Sequence, residues 1–426
     1  MQEQSVVLSS MVKVHTAQGT TATKNNVVKL NKFSLVYSCV FVANLVTEPL
    51  KAYVSEPLPW SLNATLLDNA NSSFNDFVNS TYNLFASKYN NRTLSPNTMV
   101  SHDKDANTVL LRYIVALPSN EVDGCNSYLI NFPGSMLYGK GLVEFVCNFL
   151  AQSPSAQQLA MPRYMCQHFL FARYFVIGEH CVWIEPLPKP GIFSVYHALQ
   201  VTEKSPWSWI KFSFRLCVSG CIFFEIWRLY YRHYGPLLSN LKALGIQQVG
   251  KSSSMYIVYV GDPTWIILSH PYISLTMIVD ILYSTSYSVV SLFRVNQLQD
   301  FWQFVIGSFC GSNFVWASYA AMRYSTSLIK YFRWEKYFEP LDPSTMALTA
   351  SFYAGPLLYL ICHSPLILMF QFLIQVFPVM KMENMEVSVG MCVFLIIFAS
   401  VPLLNSAISR CFHKRKRRIS NTKKRV

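Results

Sequence analysis

Arg410-Cys-Phe-His-Lys-Arg-Lys-Arg-Arg-Ile-Ser-Asn-Thr-Lys-Lys-Arg-Val426 holds nine Lys and Arg side chains and no acid, and it directly follows a long apolar run. Its reading decides the fold. Carrying so many charges across a bilayer is expensive, so a Lys/Arg cluster beside a span stays on the cytoplasmic side. The tail therefore reads as inside, and earlier segments are oriented by counting spans back from it.

The composition supports a count of several spans. The chain has 426 residues, 52% hydrophobic and 13% charged, against about 25% charged in soluble proteins. Several apolar runs approach the roughly 20 residues needed to cross a bilayer, which makes this a multi-pass membrane protein. The formal net charge is +13. The basic residues cluster beside apolar runs, so topology and anionic lipid explain them better than nucleic acid does.

Met1 to Lys32 is polar and carries Lys13, Lys24, Lys29 and Lys32 ahead of the first apolar run, Phe33 to Val54. We read that run as an uncleaved signal anchor with a cytoplasmic N-terminus. Further spans are expected at Trp209–Tyr231, Thr264–Thr285, Phe301–Arg323, Thr345–Met380 and Val387–Ile408. The stretch from Thr345 is long for one crossing, and Ala354-Gly355-Pro356 and His363-Ser364-Pro365 interrupt it. Proline kinks helices, and a single broken crossing keeps the tail inside. Met255 to Val260 is too short to span and reads as a strand or a re-entrant piece. Gly307 and Gly311 set a small-xxx-small spacing that lets another helix approach closely.

The expected fold class is thus a membrane α-helical bundle of about six transmembrane helices. A mixed α+β lumenal or extracellular domain lies between spans 1 and 2. The segments are 1–32 (cytoplasmic), 33–54 (signal anchor), 55–206 (ectodomain), 207–408 (five-span bundle) and 409–426 (basic cytoplasmic tail). Within the ectodomain the periodicity predicts helices over Leu62–Lys88 and Gly141–Gln152. It predicts strands over Val109–Ala116, Tyr128–Phe132 and Phe169–Ile177.

All four Asn-x-Ser/Thr acceptors, at Asn63, Asn71, Asn79 and Asn91, fall in that domain. Their crowding predicts glycosylation and an outside location. Cys125, Cys147, Cys166 and Cys181 fall there too, an even set expected to form two disulfides with three pairings open. No Cys-x-x-Cys pair suggests zinc.

At Gly261-Asp262-Pro263, Phe293-Arg294-Val295, Leu341-Asp342-Pro343 and Ala354-Gly355-Pro356 the chain resembles a group of uncharacterised multi-pass membrane proteins of oomycetes. The likeness runs from about Tyr256 to the last span. It implies a membrane bundle and brings no activity, cofactor or site residue.

Ionisable groups inside spans are costly and mark functional candidates. Asp280 has no basic residue one turn away, and His363 lies beside a proline break. Facing one polar interior, they would hold a cation or proton. The plainer reading pairs Glu225 with Arg228, lets Arg215 reach outward and seats His270 at an interface. In the tail, Cys411 is a palmitoylation candidate and Ser420 a phosphorylation candidate. Lys423 and Lys424 resemble a dilysine retrieval signal. No metalloprotease, serine-hydrolase, phosphate-loop or dinucleotide motif occurs, so no enzyme activity and no cofactor are expected.

The leading functional reading is a receptor-like or scaffold protein with a glycosylated, disulfide-bonded ectodomain. The alternative is a transporter or channel for an ion or small solute. The expected partners are membrane lipids, with the anionic inner leaflet met by the tail, and a protein partner of the ectodomain. The expected location is a membrane of the secretory pathway, the endoplasmic reticulum or the plasma membrane.

Overall fold

The structure is a computed structural model that describes residues 14–17, 27–63, 73–90, 93–95, 98–119, 125–129, 132, 134–159, 163–243, 255–338, 343–375 and 382–423. Nine strands occur among them: β1 Val14–Ala17, β2 Val27–Leu30, β3 Val100–Asp103, β4 Thr108–Ala116, β5 Arg163–Phe171, β6 Phe175–Pro186, β7 Ile192–Val201, β8 Met255–Val258 and β9 Asn384–Glu386. They form two sheets. The larger has the order β3-β4-β7-β6-β5-β9 and the smaller β1-β8-β2.

The larger sheet is antiparallel except at its edge, where β9 pairs parallel to β5. Its central strands are buried on both faces, so their apolar residues run without a polar alternation. One face carries Trp183, Tyr196 and Ala198 and packs against the Phe74–Lys88 helix through Phe77, Val78, Tyr82 and Phe85. That helix starts where the Ser73 hydroxyl accepts from Asp76 N, as N-cap serines do. The other face carries Val182, Ile184, Phe193 and Val195 and is covered by the Lys140–Leu150 helix. Further along that face, Leu199 and Val201 meet Phe293 and Val289 of the Thr285–Val295 helix. Two disulfides brace the domain. Cys166–Cys181 joins facing residues of β5 and β6, and Cys125–Cys147 ties the Cys125–Leu129 helix to the Lys140–Leu150 helix.

The Ser205–Leu229 helix leaves the end of β7. Its 25 residues span about 37 Å at 1.5 Å per residue, more than the roughly 30 Å hydrocarbon core of a bilayer. Just past its far end Tyr230 and Tyr234 pack on Tyr256 and Val258 of β8. The two sheets therefore sit at the two ends of this one helix.

Among the described residues two helices, Thr345–Cys362 and Ser388–Arg410, are long and apolar enough to cross a membrane. Two bent pairs raise the number to four if each is one span: Lys32–Val46 with Glu48–Val54, bent by 64°, and Pro271–Tyr283 with Thr285–Val295, bent by 75°. The architecture is mostly helical, with a separate mixed sheet region.

Several elements differ from the sequence reading for identifiable reasons. Tyr128–Phe132 reads as a strand, yet Cys125–Leu129 is a helix. The Cys125–Cys147 bond holds it where Leu129 packs on Leu142 and Val146, so tertiary packing overrides propensity. Phe169–Ile177 reads as one strand but contains a hairpin, turned by Ala172 and Arg173 at φ of 52° and 65°. The expected third span holds a short Thr264–Leu268 helix, restarts at Pro271 and bends at Ser284. Proline is well placed as the first residue of that restart. The fifth breaks as expected, with a π-helical turn at Tyr353–Leu357 containing Pro356 and an interruption at His363–Pro365. The expected Leu62–Lys88 helix is described from Phe74, and residues 64–72 lie outside the described set.

Gly307 and Gly311 each meet a different helix. A Cβ on Gly307 would lie 2.8 Å from Arg294 Cβ and 3.0 Å from the Ser291 carbonyl oxygen. A Cβ on Gly311 would lie 3.2 Å from Ala354 Cβ.

Candidate functional site: a buried ion cluster under the sheet

Lys211 and Arg215 are one helical turn apart, so they share a face of the Ser205–Leu229 helix. That face turns inward. Arg215 donates through both terminal nitrogens to the two oxygens of Glu56, each at 2.8 Å, and through Nε to Asp280 Oδ1 at 2.8 Å. Its Nη2 also reaches Ser284 Oγ at 2.7 Å. Lys211 Nζ lies 3.0 Å from Glu56 Oε2 and 2.6 Å from Glu203 Oε2. The rings of Tyr53 and Tyr287 cover the two cations at 4.8 Å and 4.5 Å. All five charged residues are buried.

Four chain segments meet here. Glu56 follows the short helix that ends the first apolar run, Glu203 follows β7, and Asp280 lies near the end of the Pro271–Tyr283 helix. Burial alone would push the Glu56 carboxyl up, but the Arg215 and Lys211 charges hold it down at about 2. Burial pushes the Glu203 carboxyl up against the pull of Lys211.

A cavity of roughly 40 Å³ opens beside the cluster, lined by Ser55, Glu56, Arg215, Asp280, Ser291 and Asn313 among others. A water needs about 10–15 Å³ on this measure, so the cavity suits a few waters or an ion and is too small for an organic solute. Next to it Arg294 donates from Nη1 to Ser55 Oγ at 2.7 Å and contacts His102 Nε2 from Nη2 at 2.7 Å. Burial, with the Arg294 charge, pushes the His102 imidazole down to about 3.

A second buried polar group, built from uncharged side chains, lies against the large sheet. Tyr138 Oη is 2.8 Å from His197 Nε2, His197 Nδ1 is 3.4 Å from His180 Nε2, and His180 Nδ1 is 3.3 Å from Gln167 Nε2. Burial pushes His180 down to about 3 and His197 well below its ordinary value. Phe293 stands edge-on to His180 with ring centres 5.6 Å apart. Among the described residues no group of three His, Cys, Asp or Glu side chains is placed to hold a metal ion.

The residues singled out in the sequence are distributed as follows. Asp280 belongs to the ion cluster, while His363 is exposed and its ring contacts the Tyr359 carbonyl of its own helix. The structure does not bring the two together. Arg215 does not reach outward: it is fully buried between Glu56 and Asp280, because two acids from other segments outcompete solvent for it. Glu225 pairs with Arg228 at 2.7 Å. Asn63 and Asn79 are exposed, with Tyr164 donating to Asn79 Oδ1 at 2.7 Å. Asn71 and Asn91 lie outside the described residues, as do the side chains of Cys411 and Ser420 on the last helix.

Sequence reasoning missed Glu56, Glu203 and Lys211. The signal was a Lys and an Arg four residues apart in an apolar helix, facing the same way with no acid beside them. No family model, no curated protein and no solved structure matches this chain.

Proposed function

We propose that this protein is a six-span membrane protein that uses a rigidly mounted ectodomain in a receptor-like or scaffold role. The segments are those given above: 1–32 and 409–426 inside, 55–206 lumenal or extracellular and glycosylated at some of Asn63, Asn71, Asn79 and Asn91. It resides in the secretory pathway, at the endoplasmic reticulum or plasma membrane. Its partners are a protein outside and anionic lipid at the tail.

One observation carries this reading. The larger sheet takes its edge strand β9 from the short link between the last two apolar helices, and its domain is tied to Lys211 and Arg215 by Glu56 and Glu203. A domain anchored at both places keeps a fixed orientation over the bundle, which suits presentation of a surface. The link at β9 lies on the ectodomain side, and β1, β2 and β8 gather at the other end of the Ser205–Leu229 helix. Both arrangements agree with an even number of crossings.

Glycosidase treatment of the native protein, with protease protection in sealed microsomes, tests the topology. The expected result is a mobility shift and protection of the 55–206 domain. No shift, together with cleavage by cytosolic protease, overturns it.

The bent helices and the polar cavity beside Asp280 favour a second reading, an ion- or proton-conducting protein. Asp280→Asn would then abolish ion-coupled flux in reconstituted vesicles. The first reading expects no flux from either protein.

A further inference from the structure

We propose that the β5–β6 hairpin tip, Ala172 to Val176, is a lipid-binding element that enters the outer-facing interface of the bilayer between two helices. This inference rests on the membrane reading above.

The strand directions aim the tip. β9 runs into the Ser388 helix and β7 runs into the Ser205 helix. β5 is parallel to β9, and β6 lies antiparallel between β5 and β7. The open end of the hairpin therefore points the way β7 and β9 point as they descend into their helices. It is flanked by one of them on each side.

Hydrogen bonds fix the depth. Ala172 N and Arg173 N donate to the Glu386 carboxylate at 3.1 Å and 2.7 Å, and Ser388 N donates to the same carboxylate at 3.0 Å. One side chain thus holds both the turn and the start of the last apolar helix. On the other flank Thr202 N donates to the Ile177 carbonyl at 3.3 Å, and its hydroxyl to the Val176 carbonyl at 3.1 Å. Continuing that register brings Tyr174 level with the first residues of the Ser205 helix. Trp207 and Trp209 follow there, both exposed.

The chemistry fits that depth. Tyr174 is 84% and Phe175 64% exposed, and Val176 and Arg173 are exposed beside them. Two aromatics and an apolar side chain left open at a hairpin tip are expensive in water. At the headgroup level they take the place aromatic belts take, with Arg173 reaching lipid phosphodiesters. The occupant is the phospholipid of the leaflet the chain itself crosses.

The test uses the full chain in phosphatidylcholine nanodiscs, with a benzophenone amino acid substituted singly at Phe175, Ile396 and Ile114. Ile396 is exposed on the last helix, and Ile114 is exposed near the opposite end of the large sheet. After irradiation, lipid adducts are read by mass spectrometry. The expected result is adduct at 396 and at 175, several-fold above that at 114. Adduct at 396 with none at 175 overturns the hairpin proposal and leaves the membrane reading standing. No adduct at 396 overturns both. Adduct at 114 equal to that at 175 also overturns the proposal, because the tip is then no closer to lipid than the far edge.

Discussion

This molecule holds two buried polar networks, one charged and one neutral. In the cluster of Glu56, Glu203, Lys211, Arg215 and Asp280, acids from three segments meet two cations of one helix. The chain of Tyr138, His197, His180 and Gln167 is built from uncharged side chains. Burial is similar, yet protonation differs. Glu56 is held at about 2 by its cations. Glu179, next to His180 on β6 but outside that chain, is buried beside the Thr81 hydroxyl and is pushed up to about 7. Burial penalises charge in both places, and the nearby cations decide which way the group goes. The charged network joins segments distant in sequence, whereas the neutral one stays within the sheet domain.

The largest expected effect comes from breaking the charged network. Arg215→Ala takes the ion-pair partner from buried Asp280 and leaves buried Glu56 paired with Lys211. Breaking a buried pair by removing one partner typically destabilises by about 3–5 kcal/mol. Thermal unfolding in detergent should show the loss. Arg215→Lys should recover little of it, because an ammonium cannot make the fork to Glu56 and reach Asp280 together. An Arg215→Ala protein as stable as its parent would mean that the cluster contributes nothing and that the contrast between the networks is empty.

Next comes the brace across the sheet. Cys166→Ala with Cys181→Ala opens a loop of 15 residues. The chain-entropy relation gives about 3 kcal/mol for such a loop. Non-reducing peptide mapping of the parent should recover the Cys125–Cys147 and Cys166–Cys181 links. A different pairing would break the register between β5 and β6 described above.

Buried histidines give a pH dependence of definite sign, His180 and His197 in the neutral network and His102 and His168 outside it. His102, His168 and His180 are pushed down to about 3, 4 and 3, and His197 well below its usual value. Below about 6.5 the unfolded chain binds protons that these four cannot bind while folded. Stability is therefore full above 6.5 and falls as the pH drops toward the folded values. At pH 5.5 the linkage amounts to roughly 1 kcal/mol per histidine. Glu179 acts oppositely: it holds its proton when folded, so its effect is lost as pH rises from about 4.5 through about 7. The melting temperature should fall between pH 7 and 5.5. Glu179→Gln should steepen that fall, since the opposing carboxyl is gone. A flat profile in both proteins would show that the histidines do not stay neutral when folded.

Much of this architecture was legible. The prolines at 356 and 365, the even cysteine set and the Gly307/Gly311 spacing each announce a local physical constraint, and each has a visible counterpart, whereas of the six apolar runs read as spans two helices, or four counting bent pairs, are long and apolar enough to cross among the described residues. Long-range pairing was not legible. β9 is three residues long and joins β5 across more than 200 positions of sequence, with nothing local to mark it. The site was half visible. Lys211 and Arg215 stand out in an apolar helix, but Glu56 and Glu203 look like ordinary loop acids until the fold brings them under the sheet. Asp280 reads as unpartnered in the sequence because its partner is 65 residues away rather than one turn away.

The smallest effect is expected within the same helix and sharpens the comparison most directly. Arg228 and Arg215 are the same residue type on the Ser205–Leu229 helix, each bonded to a carboxylate at under 3 Å. They differ in surroundings. Arg228 is about half exposed (49%) and its partner Glu225 lies three residues back on the same helix. In high dielectric the attraction is weak, the long side chains lose entropy on pairing, and water replaces either partner at little cost. Such pairs contribute about 0–1 kcal/mol, and helical neighbours about 0.3–0.5. Arg228→Ala should thus shift the melting temperature by little and lose what effect it has at high salt, whereas Arg215→Ala should be insensitive to salt because its partners are sealed from it. If raising the ionic strength narrows the stability loss of Arg215→Ala as much as that of Arg228→Ala, then solvent reaches both pairs, and the cluster under the sheet is an open surface network rather than a buried lock.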